Sequence, residues 1–196
     1  MLFWFIATSI WSVWYVFRDP KFDYRLLAIA SLIPDVLDGL VGLVGFVGFA
    51  GIIGFGGGAG PFHSVVTSVV VLFGIMLATF GRRPIRQRLL AIPIGMFMHL
   101  IFDGAFTDAK IFWWPLTGTN IPGTNILGTP LPSLERGIWN IPLEIIGGFA
   151  LIIAWRYFSL SDASRRRLFL GKGKLSRDKL RDGKLSDTKL HDMTVN

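Results

Sequence analysis

Cysteine is absent from this chain of 196 residues. That excludes disulfides and thiolate metal sites, so any metal must take imidazole nitrogen and carboxylate oxygen. Charge is also scarce: 17% of residues are charged against 52% hydrophobic, and the mean hydropathy is +0.53. A soluble domain of this size rarely has that balance, whereas an integral membrane protein does. No basic stretch precedes the first apolar run, residues 2–17, and no small-residue cleavage site follows it. The run therefore reads as a retained membrane helix rather than a signal peptide. No nucleic-acid recognition motif accompanies the net charge of +7, so no nucleic-acid partner is expected.

What the chain does have is long apolar runs, seven Trp and 17 Phe, a composition suited to aromatic belts and a lipid-facing surface. The runs predict an all-α, polytopic membrane domain over 1–160. Its five helices are expected at about 2–17, 26–55, 62–80, 89–107 and 138–158. Residues 161–196 hold ten of the 20 Lys and Arg, with Lys-Leu recurring at Lys174, Lys179, Lys184 and Lys189. This segment reads as a basic, low-complexity, disordered tail. Of the ten basic residues before it, eight lie at 18–25, at 82–88 or at Arg156. The positive-inside rule then places those loops and the tail in the cytoplasm, with the domain in the cytoplasmic membrane and the tail against anionic lipid headgroups. Between Gly39 and Gly57 a glycine stands at every third position. The intervening residues are Leu, Val, Phe and Ile without proline, which excludes collagen and reads as a tolerant spacer.

Ionisable residues inside the apolar runs are few, and such positions are functional hypotheses by default. His99 and Asp103 are four apart in the fourth run, so a helix puts them on one face. Asp35, Asp38, His63 and Glu144 are their candidate partners. A rise of about 1.5 Å per residue places all six in the outer half of the bilayer, with His99 about 15 Å from the cytoplasmic end of its helix. Two imidazoles and four carboxylates suit Zn²⁺ or Mn²⁺, as one ion or two, better than an all-oxygen cage. Asp35, His63, His99 and Asp103 are the expected ligands, and Asp38 and Glu144 the expected catalytic carboxylates. The duller alternatives are helix capping by Asp35 or Glu144, a turn at Asp38-Gly39, and a His99–Asp103 pair that only joins helices.

Four motifs in order resemble the membrane-bound metal-dependent hydrolases of the YdjM-like family: Pro34-Asp35-Val36-Leu37-Asp38, then His63-Ser64, then His99-Leu100-Ile101-Phe102-Asp103, then Trp114-Pro115. The likeness covers about residues 26–116. Asp38 follows Asp35 by three residues where the family usually has two, and Glu144 belongs to no motif. The resemblance implies a metal held by Asp35, His63, His99 and Asp103. Together with the apolar setting, it points to hydrolysis of a lipid-like or amphiphilic substrate, a phosphoester among them. The reading from a different class is an ion- or proton-coupled transporter, or a structural membrane protein, that uses the same buried groups.

Overall fold

A computed structural model of the chain describes residues 1–19, 22–46, 61–118 and 140–175, with the short pairs 180–181 and 184–185; of residues 41–46 and of the two pairs it describes the backbone alone. The helices are α1 (Leu2–Phe17), α2 (Tyr24–Ala30), α3 (Ile33–Phe46), α4 (Val65–Ala78), α5 (Arg83–Leu89), α6 (Ala91–Asp103), α7 (Ala109–Phe112), α8 (Asn140–Tyr157) and α9 (Ala163–Lys172). Short 3₁₀ turns, Pro61–His63 and Ala105–Thr107, precede α4 and follow α6. The expected all-helical class therefore holds. Its one exception among the described residues is an antiparallel pair of two-residue strands, β1 (Leu180–Arg181) and β2 (Lys184–Leu185).

Three expectations about the elements change. The single run at 26–55 is two helices, because Pro34 lacks the N–H that would continue the ladder and disfavours helical backbone just before it. The chain turns at Ser31 and Leu32 and restarts at Ile33. The tail expected to be disordered from 161 begins with a ten-residue helix, α9, capped by the Asp162 side chain on Ser164 N. Among the described residues one stretch, Arg83–Asp103, is long and apolar enough to cross a membrane; Leu2–Phe17 and Val65–Ala78 are shorter apolar helices. The expected glycine spacer from Gly42 to Gly57 falls on side chains or residues outside those described.

α1 packs on α8, α2 and α6, while α6 also takes α2 and α4. Two glycines set the closest of these approaches. A Cβ on Gly147 of α8 would stand 2.4 Å from Trp4 N of α1, and one on Gly95 of α6 would stand 2.6 Å from the Ala30 Cβ of α2. Small residues permit such backbone approach between apolar helices. Ile10, Val13, Tyr24, Leu27, Ala91, Ala154, Phe158 and Leu175 form an apolar core. Outside it a group of polar side chains is buried as well, Asp38, His63, Ser64, His99 and Asp103, beside apolar ones such as Phe5.

Asp23 ties the apolar core together. Its carboxylate caps α2 at Leu26 N (3.1 Å) and pairs with Arg25 (3.3 Å) and with Arg88 of α5 (2.9 Å). Burial pushes its carboxyl up, but the Leu26 N–H and the two guanidinium groups outweigh that and hold it below the usual carboxylate range.

Candidate metal centre

Two of the three ligands of the candidate site are delivered by irregularities in the chain, and the third by a regular helix. Asp35 stands in the first turn of α3, just after the break at Pro34. His63 ends the 3₁₀ turn that runs into α4, where Ser64 adopts extended backbone and caps the helix at Val66 N. The Ser64 hydroxyl also reaches the carbonyls of Phe112 (3.2 Å) and Trp114, which ties the start of α4 to the α7 segment. His99 lies within α6, fully buried, with the Phe5 ring of α1 stacked 4.1 Å from its own.

These three side chains converge. His63 Nε2 and His99 Nε2 are 3.1 Å apart, and Asp35 Oδ1 is 3.3 Å from the first and 3.4 Å from the second. The far nitrogen of each ring is already committed. His99 Nδ1 is 2.7 Å from the Ser31 carbonyl, which can only accept, so that nitrogen carries the proton. His63 Nδ1 is held by the Asp38 carboxylate in the same way, and Asp38 also accepts from Phe62 N (3.1 Å). In the neutral rings both Nε2 atoms therefore present lone pairs, toward each other and toward a carboxylate oxygen. Asp35 Oδ1 is buried and takes no hydrogen bond. Three electron-rich atoms facing one another away from water repel unless a cation lies among them.

The dimensions suit one. Three ligands of a tetrahedral ion with bonds of about 2.0–2.1 Å lie about 3.3 Å apart, leaving a fourth position open. The observed edges of 3.1, 3.3 and 3.4 Å match that triangle. The outer partners fit as well, since a metal-bound histidine commonly donates its other N–H to a carboxylate or a backbone carbonyl. Asp35, His63 and His99 can thus hold a metal ion.

The remaining candidates sit elsewhere. Asp38, expected as a catalytic carboxylate, is buried against His63 Nδ1 and orients that ring from behind. Asp103, expected as a ligand, is fully buried at the end of α6 and within electrostatic reach of His63, but it is not among the three converging groups. Glu144, also expected as catalytic, is bound to another helix. It accepts from Leu2 N (2.9 Å), Phe3 N (3.1 Å) and Trp4 N (3.3 Å), and so caps α1 from α8. Depth along the helix does not fix which neighbour a side chain faces, and Glu144 faces the start of α1. The Ser31 carbonyl is the contributor that no sequence signal revealed. It becomes an acceptor for His99 because the ladder breaks just beyond it.

The cap assigned to Glu144 has a measurable consequence. Glu144→Ala leaves three N–H groups of the first turn without that acceptor and is expected to cost about 1–2 kcal/mol. The melting temperature should fall by several degrees while metal stoichiometry is unchanged. Loss of metal in this variant would place Glu144 at the site after all.

No protein-family model, no curated protein and no solved structure matches this chain.

Proposed function

We propose that the chain is a polytopic membrane protein that works as a metal-dependent hydrolase on a lipid-like or amphiphilic substrate, with a phosphoester as the bond cleaved. The single observation that carries this reading is the triangle of Asp35 Oδ1, His63 Nε2 and His99 Nε2, each histidine braced from behind. Two histidines and one carboxylate with a fourth position open make a donor set used by hydrolytic zinc sites. A divalent ion held there would polarise the substrate and supply hydroxide near neutral pH. The resemblance of the four motifs to the YdjM-like hydrolases points the same way.

The membrane setting rests on where polarity lies. Outward positions are apolar on helix after helix: Val69, Val70 and Phe73 on α4, and Ile145, Phe149 and Ile152 on α8. The buried polar groups point inward instead, the reverse of a water-soluble helical domain. The arginines at 82–88 and the basic tail set the cytoplasmic side, where they meet anionic headgroups.

Access to the site argues for the substrate class. Asp35 is the one ligand with appreciable exposure, its side chain 29% accessible, while both histidines are fully buried. Along α3 its outward neighbours are Val36, Gly39 and Leu40, and the place of a Cβ on Gly39 meets nothing within 4 Å. The open side of the triangle therefore gives onto an apolar flank, the approach an amphiphile takes from within the bilayer. A relay of ions or protons to the cytoplasmic side finds no support, since no ionisable residue stands between Arg88 and His99 and the buried positions there are Ala91, Pro93, Gly95 and Met96.

Within this reading Asp103 is the general base: of the two buried carboxylates near His63 outside the triangle, Asp38 is committed to the ring's Nδ1, which leaves Asp103 for that role. With the zinc-loaded protein in lipid nanodiscs, hydrolysis of a panel of phosphoester lipids is the direct test. Asp103→Asn should retain zinc and lose about 10²–10⁴-fold in turnover. Zinc lost with turnover would make Asp103 a ligand instead, and a zinc-loaded wild type inert toward every amphiphilic phosphoester would end the hydrolase reading.

A further inference from the structure

The start of the tail is keyed into the body of the protein by a short sequence. Tyr24 N, at the first turn of α2, donates to the Gly173 carbonyl (2.8 Å). The Arg25 guanidinium donates to the Leu170 carbonyl. Gly173 has φ +70°, and a Cβ there would stand 1.8 Å from Asp23 Oδ1, so the position accepts glycine alone. Two residues on, Leu175 is 2% exposed in the apolar core beside Tyr24 and Leu27. The dock thus reads four features of the tail: a carbonyl at 170, glycine and its carbonyl at 173, and leucine at 175.

The same features recur ten residues later. Leu170-Gly171-Lys172-Gly173-Lys174-Leu175-Ser176 is followed by Leu180-Arg181-Asp182-Gly183-Lys184-Leu185-Ser186. Gly-Lys-Leu-Ser is repeated without change, and the leucine three residues before it is repeated too. Two substitutions weaken the second copy. Lys179 stands in the sequence where Phe169 packs on the core, and Asp182 puts a negative charge next to Gly183 where the first copy has the positive Lys172 next to Gly173.

We propose that the dock at Asp23, Tyr24 and Arg25 accepts the second copy in place of the first within the same chain, so that the tail has two registers ten residues apart. The first register is preferred through Phe169 and Lys172. In the second, Ala163–Lys172 and its arginines leave the dock on a tether ten residues longer, which changes how far this basic segment reaches along a membrane surface. Exchange within one chain is favoured over exchange between molecules because a linker this short keeps the second copy at an effective concentration of about millimolar. The antiparallel pair of Leu180–Arg181 with Lys184–Leu185 must open first, and a ladder of two residues is a weak barrier.

Redundancy is the test, read as hydrogen exchange at the Tyr24 amide in the full-length protein in nanodiscs. Valine at 173 or 183 cannot take the required backbone and overlaps Asp23. Gly183→Val alone should leave exchange within about threefold of wild type, and Gly173→Val alone should raise it by less than about tenfold, because the weaker second copy then docks. Gly173→Val with Gly183→Val should raise it by at least about thirtyfold. A second pair, Gly173→Val with Leu185→Asp, should match that double variant and guards against a folding artefact of the Gly183→Val change. Full loss of protection in Gly173→Val alone would overturn the proposal, as would a Gly173→Val chain that regains protection only as a dimer.

Discussion

His99→Ala should abolish stoichiometric zinc binding, taking purified protein from about one ion per chain to none, with affinity lower by at least about a hundredfold. The loss is large because His99 supplies one of three ligand atoms and its ring holds a corner of a triangle with no spare donor among the converging groups. Stability should follow. An ion present at 100 times its dissociation constant stabilises the folded state by about 2.7 kcal/mol. For a chain of this length that corresponds to about 5–10 °C in melting temperature. A chelator should therefore lower the melting temperature of the wild type and leave that of His99→Ala where it already lies. Equal metal content in both proteins would remove the site.

Gly95→Leu should be strongly destabilising, and it acts at the helix crossing next to the metal site. Even a Cβ at this position would lie 2.6 Å from the Ala30 Cβ, 2.8 Å from the Leu27 carbonyl oxygen and 3.0 Å from Ser31 N. Two of those neighbours are backbone, so α2 must move away from α6 as a unit. Overpacking of this kind costs about 1–3 kcal/mol and occasionally more. The displacement also carries the Ser31 carbonyl away from His99 Nδ1, so zinc affinity should fall about 10–100-fold even in the fraction that folds. Gly148→Leu is the matched control, because its Cβ position meets nothing within 4 Å. If the two variants melt alike and bind zinc alike, the crossing at Gly95 does not set the geometry of the site.

How much of this was legible in the sequence depends on the range of the interaction. His99 stood out because an imidazole in an apolar helix needs a reason to be there, and Asp35 and His63 stood out beside helix breaks that aim side chains inward. Those signals are local, and they gave the three converging groups. Asp38 and Glu144 misled because sequence gives depth along a helix but not azimuth around it. One faces the rear of His63 and the other faces the start of α1. The role of Ser31 was invisible because it belongs to a backbone carbonyl, which every residue has. The tail misled through composition. Its basic low-complexity pattern hid one glycine and one leucine that fit an existing dock, and such a fit depends on the partner surface rather than on the segment.

The Asp38 carboxylate, described above as a brace for His63, also joins the two ends of the glycine-rich stretch, since it holds Phe62 N from 24 residues earlier in the chain. That pins the start of the glycine-rich stretch to the residue just after its end. Closure entropy rises only with the logarithm of loop length, about 0.6 kcal/mol for each doubling. A change of one or two triplets between Asp38 and Phe62 therefore adds only about a few tenths of a kcal/mol of closure entropy, while the Asp38 contact keeps Asp35 and His63 at the same distance. The Asp38 contact thus uncouples the number of repeats in the gene from the geometry of the ligands on either side of them.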